Sequence, residues 1–101
     1  MIENRIYSVV VNNIFYGVFS NRKNLMDSIH KNIDLSGAYI KGTRKNLDVT
    51  TITVANNFMK NCLTIYRKDD DNNEKEYIKV LMHTMNAVNP YYIKKEKNEA
   101  N

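Results

Sequence analysis

The side chains with the most reactive chemistry in this chain are two histidines and one cysteine, and they are scattered. His30, Cys62 and His83 lie far apart in the sequence, and none has a partner at metal-ligand spacing. A structural zinc site needs a closed set of cysteine and histidine ligands, and no serine stands in a Gly-x-Ser-x-Gly elbow. A thiol inside a predicted strand is typically buried and inert. The pattern therefore predicts no metal site, no cofactor and no catalytic nucleophile.

The acidic residues cluster in one run, Asp69–Glu74, which superficially resembles the start of a calcium-binding EF-hand loop. Position six of that loop requires glycine and here is Glu74, and position twelve requires a bidentate glutamate and here is Val80. The run is better explained as a solvated hairpin tip. Acid–base catalysis would need two carboxylates facing one cleft. Nothing in the sequence brings together the acids that lie in or beside predicted elements, which are Asp27, Asp34 and Asp48. We therefore expect no enzymatic activity.

The basic residues and tyrosines indicate a weak capacity to bind anions or nucleic acid. The loop from Gly42 to Lys45 offers a flexible backbone, a hydroxyl group and two cations, but it lacks the phosphate-loop pattern. The candidate anion or nucleic-acid contacts are Arg22, Lys41, Arg44 and Lys45. Tyrosines on a sheet beside lysines are what a base-stacking surface requires. Four tyrosines fall on predicted strands: Tyr7, Tyr16, Tyr39 and Tyr66.

The overall composition is that of one small globular domain. The chain has 101 residues, a net charge of +4 and 43% hydrophobic residues, which fits a single compact unit. One cysteine cannot form an intrachain disulfide, and no apolar run has the length of a signal peptide or a membrane span. We expect a cytoplasmic protein, in the host cytoplasm if it is viral. The 16 Asn, 11 Lys, 10 Ile and 7 Tyr residues reflect AT-rich coding, as in a low-GC bacterium, its phage or a large DNA virus.

The elements that must position these residues begin with a β-hairpin. Two runs rich in β-branched and aromatic residues, 5–11 and 14–19, flank Asn12-Asn13, and asparagine tolerates the positive φ that a two-residue type I′ turn requires. That turn predicts that Val11 pairs with Ile14 and Val9 with Tyr16. One face of the ribbon then carries Tyr7, Val9, Val11, Ile14, Tyr16 and Val18, and the other carries Ile6, Val10, Phe15 and Phe19 around Ser8 and Gly17.

A helix should follow, capped by Ser20 or Asn21. Apolar residues recur at helical spacing from about Arg22 to Ile33, and Gly37 follows its end. Residues 38–41 read as a short strand, residues 47–54 as a strand rich in β-branched side chains, and residues 62–68 as a further strand. Residues 55–61 read as a turn or one loose helical turn.

The last segment of the domain has two interpretations. Residues 77–83 alternate as a strand would, closing a hairpin with 62–68, but the apolar spacing from Tyr77 to Val88 also fits a helix. The hairpin length of the preceding loop favours the strand. We expect a single domain over residues 1–90 and a disordered polar tail over 91–101, which has nothing apolar with which to anchor itself.

The predicted fold is α+β, with an antiparallel sheet of about five strands packed on one helix in the order ββαβββ, followed by a final strand or helix. One helix can cover only one side of a hairpin that is apolar on both, and six large apolar side chains exceed what a monomer usually exposes. The face of Tyr7, Val9, Val11, Ile14, Tyr16 and Val18 is therefore either core or an interface. The leading hypothesis is a non-enzymatic protein-interaction module that self-associates or binds a protein partner, such as a phage or viral accessory protein acting on a host factor. The alternative is a nucleic-acid-binding domain that uses the strand tyrosines and the basic loop.

Overall fold

A computed structural model describes residues 5–84, 88, 90–92 and 94 of the chain. The described fold is α+β. Its elements in chain order are β1 (Arg5–Val11), β2 (Ile14–Phe19), α1 (Arg22–Asn32), β3 (Ile40–Lys41), β4 (Asn46–Leu47), α2 (Thr51–Asn56), β5 (Cys62–Lys68) and β6 (Glu74–Thr84). Four strands form an antiparallel sheet in the order β2–β1–β6–β5, and β3 pairs with β4 in a separate two-stranded sheet.

The opening hairpin forms at the predicted turn. Asn12 and Asn13 both have positive φ, at 51° and 65°, as a two-residue type I′ turn requires. Val11 pairs with Ile14 and Val10 with Phe15, as predicted. The Asn-Asn pair therefore sets the start of the register through a backbone conformation that few other residues adopt without strain.

Further along the hairpin the predicted register is wrong by one residue. A β-bulge interrupts the ladder between Val9 and Val10. As a result, Val9 pairs with Gly17 instead of Tyr16, and Tyr7 pairs with Phe19. A bulge sets two residues of one strand against one of the other and moves every later side chain to the opposite face. Val18 consequently leaves the face that Tyr7 and Val9 share, and Phe19 joins it.

The core lies between the sheet and the two helices. Tyr7 and Val9 of β1 are buried, with exposures of 4% and 0%, against buried residues of both helices. The remaining core residues are Leu25, Met26, Ile29, Ile40, Val54, Leu63, Ile65, Tyr77, Ile78 and Val80. Because these side chains belong to one cluster, both helices cover the same face of the sheet, which we call the core face.

The first helix agrees with the prediction and the second does not. The Asn21 side chain accepts a hydrogen bond from the Asn24 amide at 2.8 Å and caps α1. Residues 47–54 were expected to form one strand because they are rich in β-branched side chains, yet within that range only Leu47 belongs to a strand, β4, and α2 begins at Thr51. Thr50 and Thr53 form a capping box, in which each side chain accepts a hydrogen bond from the other's amide. These local bonds outweigh a weak intrinsic strand preference.

Residues 77–83 form part of a strand, which confirms the strand interpretation over the helical one. β6 spans Glu74–Thr84 and forms a hairpin with β5 through the acidic loop, where Asp69 accepts hydrogen bonds from the amides of Asp71 and Asn73. β6 inserts between β5 and β1 and so becomes a central strand. The first part of the predicted tail holds a 3₁₀ turn, Pro90–Tyr92. Its other positions, 93 and 95–101, lie outside the described residues.

Candidate interaction surface

We call the face of the sheet opposite the core face the outer face. The bulge and the strand order determine which residues lie on it. Residues paired across an antiparallel ladder share a face. Ser8 pairs with Val18 on one side and with Leu81 on the other, and Val10 pairs with Phe15 and with Lys79. The outer face therefore carries Ile6, Ser8, Val10, Phe15, Val18, Thr64, Lys79, Leu81, His83 and Cys62. Neither described helix covers it, because both pack on the core face.

The most exposed apolar side chains of the outer face lie on β2. Phe15 is 64% exposed and Val18 is 54% exposed. Ile14, at the turn end of the same strand, is 72% exposed, but it pairs with Val11 and so lies on the side of the core face. β2 is also an edge strand of the four-stranded sheet among the described residues. An exposed apolar edge strand is a template for pairing with another chain. The strongest candidate for a binding surface is therefore the β2 side of the outer face.

The six residues predicted as an interaction face are divided by the structure. Tyr7 and Val9 are core residues, while Val11 and Tyr16 are half-buried and pack against the core. Only Ile14 and Val18 remain exposed. The bulge explains Val18, since it places Val18 on the same face as Phe15, which the sequence had assigned to the opposite face, whereas Ile14 precedes the bulge and keeps its predicted face. Gly17 was the signal that could have revealed this, because glycine inside a strand often marks a bulge.

The four candidate anion contacts do not form one site. Arg22 begins α1, whose main contacts are with β2 and α2, whereas Lys41, Arg44 and Lys45 lie in the β3–β4 hairpin. Lys41 forms an ion pair with Glu74. Within the described part of the chain, no ion pair engages the exposed side chains of Arg44 and Lys45. Among the described residues, Arg22 is free of ion pairs as well, but only Arg44 and Lys45 are neighbours that could meet one anion together.

Lys41 belongs to a cluster that fixes the small hairpin to the main sheet. The Tyr39 hydroxyl donates a hydrogen bond to Glu74 Oε1, and the Lys41 ammonium lies 4.4 Å from the centre of the Tyr66 ring. The hydrogen bond to Glu74 raises the pKa of Tyr39 to about 12. Hydrogen bonds from Lys41 and then Tyr39 lower the pKa of Glu74, and the same carboxylate raises the pKa of Lys41. The cluster is thus a satisfied, locally neutral contact.

The strand tyrosines do not offer a continuous stacking surface. Tyr7 is buried beside Phe58, and the hydroxyl of Tyr16 forms a hydrogen bond of 2.6 Å with Ser28 of α1. Tyr39 and Tyr66 stack on each other with ring centres 6.1 Å apart, and the ion pair between Lys41 and Glu74 leaves no net positive charge beside them to attract a phosphate. This arrangement gives the nucleic-acid alternative little support.

Sequence reasoning also missed a serine–histidine contact on the outer face. Ser8 Oγ lies 2.8 Å from His83 Nε2, because Ser8 and His83 are diagonal neighbours on β1 and β6. Hydrolytic catalysis would also require a group that orients the histidine and donors for an oxyanion. The pair is exposed on a sheet surface, and in the described part of the chain no carboxylate forms a hydrogen bond or ion pair with His83 to orient it. The contact therefore reads as a cross-strand hydrogen bond.

Two clefts adjoin the sheet, and neither is lined by a histidine. One, of about 610 Å³, lies at the end of β5 and β6 and mixes cations and acids, including Arg67, Lys75 and Asp70. Its Arg67 guanidinium already lies 3.9 Å from the centre of the Tyr77 ring. The other, of about 250 Å³, contains the half-buried Cys62. Neither therefore places a histidine beside a hydroxyl or thiol group.

Metal and membrane signals are absent from the part of the chain that the structure describes. No group of three or more His, Cys, Asp or Glu side chains is arranged to hold an ion there. Across the same residues, no helix combines the length and apolarity needed to cross a membrane. Comparison of the chain with protein-family models, with curated proteins and with solved structures finds no match.

Proposed function

We propose that this chain is a small non-enzymatic protein-interaction module that self-associates through the β2 side of its outer face. The observation that carries the proposal is the exposure of Phe15 and Val18, together with Ile14, on an edge strand whose opposite face the helices cover. Contiguous exposed apolar surface on a small domain marks an interaction site, and association of identical copies is its commonest form.

Charge supports association better than it supports nucleic-acid binding. No charged residue occurs between Asn12 and Asn21. A partner can therefore exclude water from this strand without paying the cost of desolvating a charged group on it. The free cations Arg44 and Lys45 lie on the β3–β4 hairpin, beyond the opposite edge of the sheet. A protein partner would therefore meet an apolar strand, whereas the β3–β4 hairpin would offer a nucleic acid only a small positive patch.

Light scattering after size-exclusion chromatography, over a concentration series, tests the proposal. We expect the mass to rise with concentration from 11.8 kDa toward twice that value. The double variant Phe15→Ser/Val18→Ser should remain at the monomer mass, because it removes the exposed apolar side chains. Ile52→Ser is a matched control, since Ile52 is 71% exposed on α2, and it should associate like the unaltered chain. A constant monomer mass for the unaltered chain at every concentration would overturn the proposal.

A further inference from the structure

We propose that two copies of this chain pair antiparallel along β2, with Phe15 of each copy opposite Val18 of the other, and this inference rests on the proposed self-association. The pairing would join two four-stranded sheets into one sheet of eight strands. Its arrangement follows from which sheet edge is open, from the absence of charge on that edge and from the faces of the β2 side chains.

The two edges of the main sheet differ in protection. At the β5 edge, Tyr39 bridges to Tyr66 through two backbone hydrogen bonds of 2.9 and 2.8 Å, so the chain itself occupies part of that edge. The β2 edge pairs with no strand of the described residues. A free edge presents a row of unsatisfied N–H and C=O groups to any extended chain that approaches. β2 is therefore the edge at which a second copy can add a strand.

The β2 edge has one of the features by which proteins discourage such pairing, the bulge at Tyr16, but it lacks two others. Lysine or proline on an edge strand discourages association, and neither occurs between Asn12 and Asn21. In a twofold antiparallel pair each strand meets its own sequence, so charged residues would place like charges near each other at a cost. β5 carries Arg67 and Lys68, whereas β2 carries no charge at all. An uncharged strand suits self-pairing.

The side-chain faces select one register. Because of the bulge, Phe15 and Val18 both lie on the outer face, while Ile14, Tyr16, Gly17 and Phe19 lie toward the core face. A twofold axis between Tyr16 and Gly17 sets Phe15 opposite Val18, Tyr16 opposite Gly17 and Ile14 opposite Phe19, so every pair matches in face. A shift by one residue would set Phe15 opposite Gly17 or Phe19, which lie on the wrong face.

The area available predicts a weak dimer. At roughly 200 Å² for a phenylalanine side chain, the 64% exposed Phe15 offers on the order of 130 Å². With Ile14 and Val18 added, each copy offers on the order of 300 Å² of apolar surface. Two copies together then offer on the order of 600 Å² of apolar surface, which is well below the roughly 1,200–2,000 Å² that stable interfaces bury. We therefore expect a dimer that dissociates on dilution.

Pairwise disulfide trapping tests the register. Cys62→Ala removes the native thiol, and Phe15→Cys and Val18→Cys are then introduced into separate chains. Opposite residues of an antiparallel pair lie within the Cβ separation that a disulfide can accommodate, given small adjustments. Under mild oxidation, the mixture of the two variants should cross-link about tenfold faster than either variant alone, because the paired strands hold the thiols at high effective concentration. Ile52→Cys mixed with Val18→Cys is the control and should cross-link at the background rate.

Each outcome has a distinct meaning when light scattering is run on the same samples. Selective cross-linking of the Phe15→Cys and Val18→Cys mixture supports the β2 pairing. Dimers without that selectivity overturn the register and leave self-association standing through another surface. Monomers at every concentration overturn both proposals, and the β2 edge would then be open to an extended segment of a different protein. Circular dichroism of each variant confirms that the sheet is intact, which is expected because both positions are more than half exposed.

Discussion

Two valines on the hairpin allow the assignment of its faces to be measured directly. Val9 and Val18 stand on paired neighbouring strands, so replacing either by alanine changes strand propensity by a similar amount. Val9 is fully buried, whereas Val18 is 54% exposed on the outer face. The difference in the free energy of unfolding between the two variants therefore reports which face is core.

The expected magnitudes follow from burial. Valine to alanine removes two carbons at about 0.8 kcal/mol each, and the cavity left in a packed core brings the loss for Val9→Ala to about 2–3 kcal/mol. Val18→Ala should lose less than about 1 kcal/mol, because half of that side chain is already in water. For a domain of about 100 residues, 1 kcal/mol corresponds to roughly 4–8 °C in melting temperature.

Urea denaturation at low protein concentration, where association contributes little, is the appropriate assay. The unbulged register inferred from the sequence places both valines on one face and predicts similar losses. Equal destabilisation of the two variants would therefore refute the bulge and the division of the sheet into a core face and an outer face. A large loss for Val9→Ala with a small one for Val18→Ala agrees with the structure.

Three further outcomes can be checked. Thr50→Ala should lower the free energy of unfolding by about 1 kcal/mol, because it removes the cap of α2. Thr51→Ala, in the first turn of the same helix, should lower it by less. Equal effects of the two substitutions in urea denaturation would contradict the capping box. Because its contacts lower the pKa of Glu74 in the folded chain, its stabilising contribution should be present above its ordinary value of 4.5 and lost as pH falls through the lowered value. The stability difference between the unaltered chain and Glu74→Gln should therefore shrink on acidification, and a difference that stays constant in denaturation curves across that range would count against the cluster. A labelled single-stranded oligonucleotide should give no saturable anisotropy change at about 0.15 M salt, where contacts from a small positive patch are largely lost; tight binding there would favour the nucleic-acid alternative.

Much of the fold could be predicted from local signals in the sequence. The Asn12-Asn13 turn depends on a backbone preference of asparagine, and α1 depends on apolar spacing within one helix, so both can be predicted from neighbouring residues. The strand over 47–54 was wrong because the hydrogen bonds between Thr50 and Thr53 compete with β-branched propensity. That competition involves residues only three positions apart, and the capping pattern could have been recognised.

The candidate surface was harder to predict because it depends on distant parts of the chain. Periodicity revealed that the hairpin is apolar on both sides, but it could not reveal which side the helices cover. That choice depends on β6, which inserts beside β1 and brings Ile78 and Val80 to the core face. The bulge at Tyr16 then exchanges Val18 for Phe19 on that face. One local irregularity and one long-range pairing therefore decide which residues remain exposed.

Hydrogen–deuterium exchange of the β2 backbone amides at low and high protein concentration tests the central claim most directly. If two copies meet along β2, protection of amides between Ile14 and Phe19 should increase with concentration, while amides of the central strand β6 stay equally protected throughout. Exchange in β2 that is the same at both concentrations, in samples whose mass has doubled, would contradict the β2 interface.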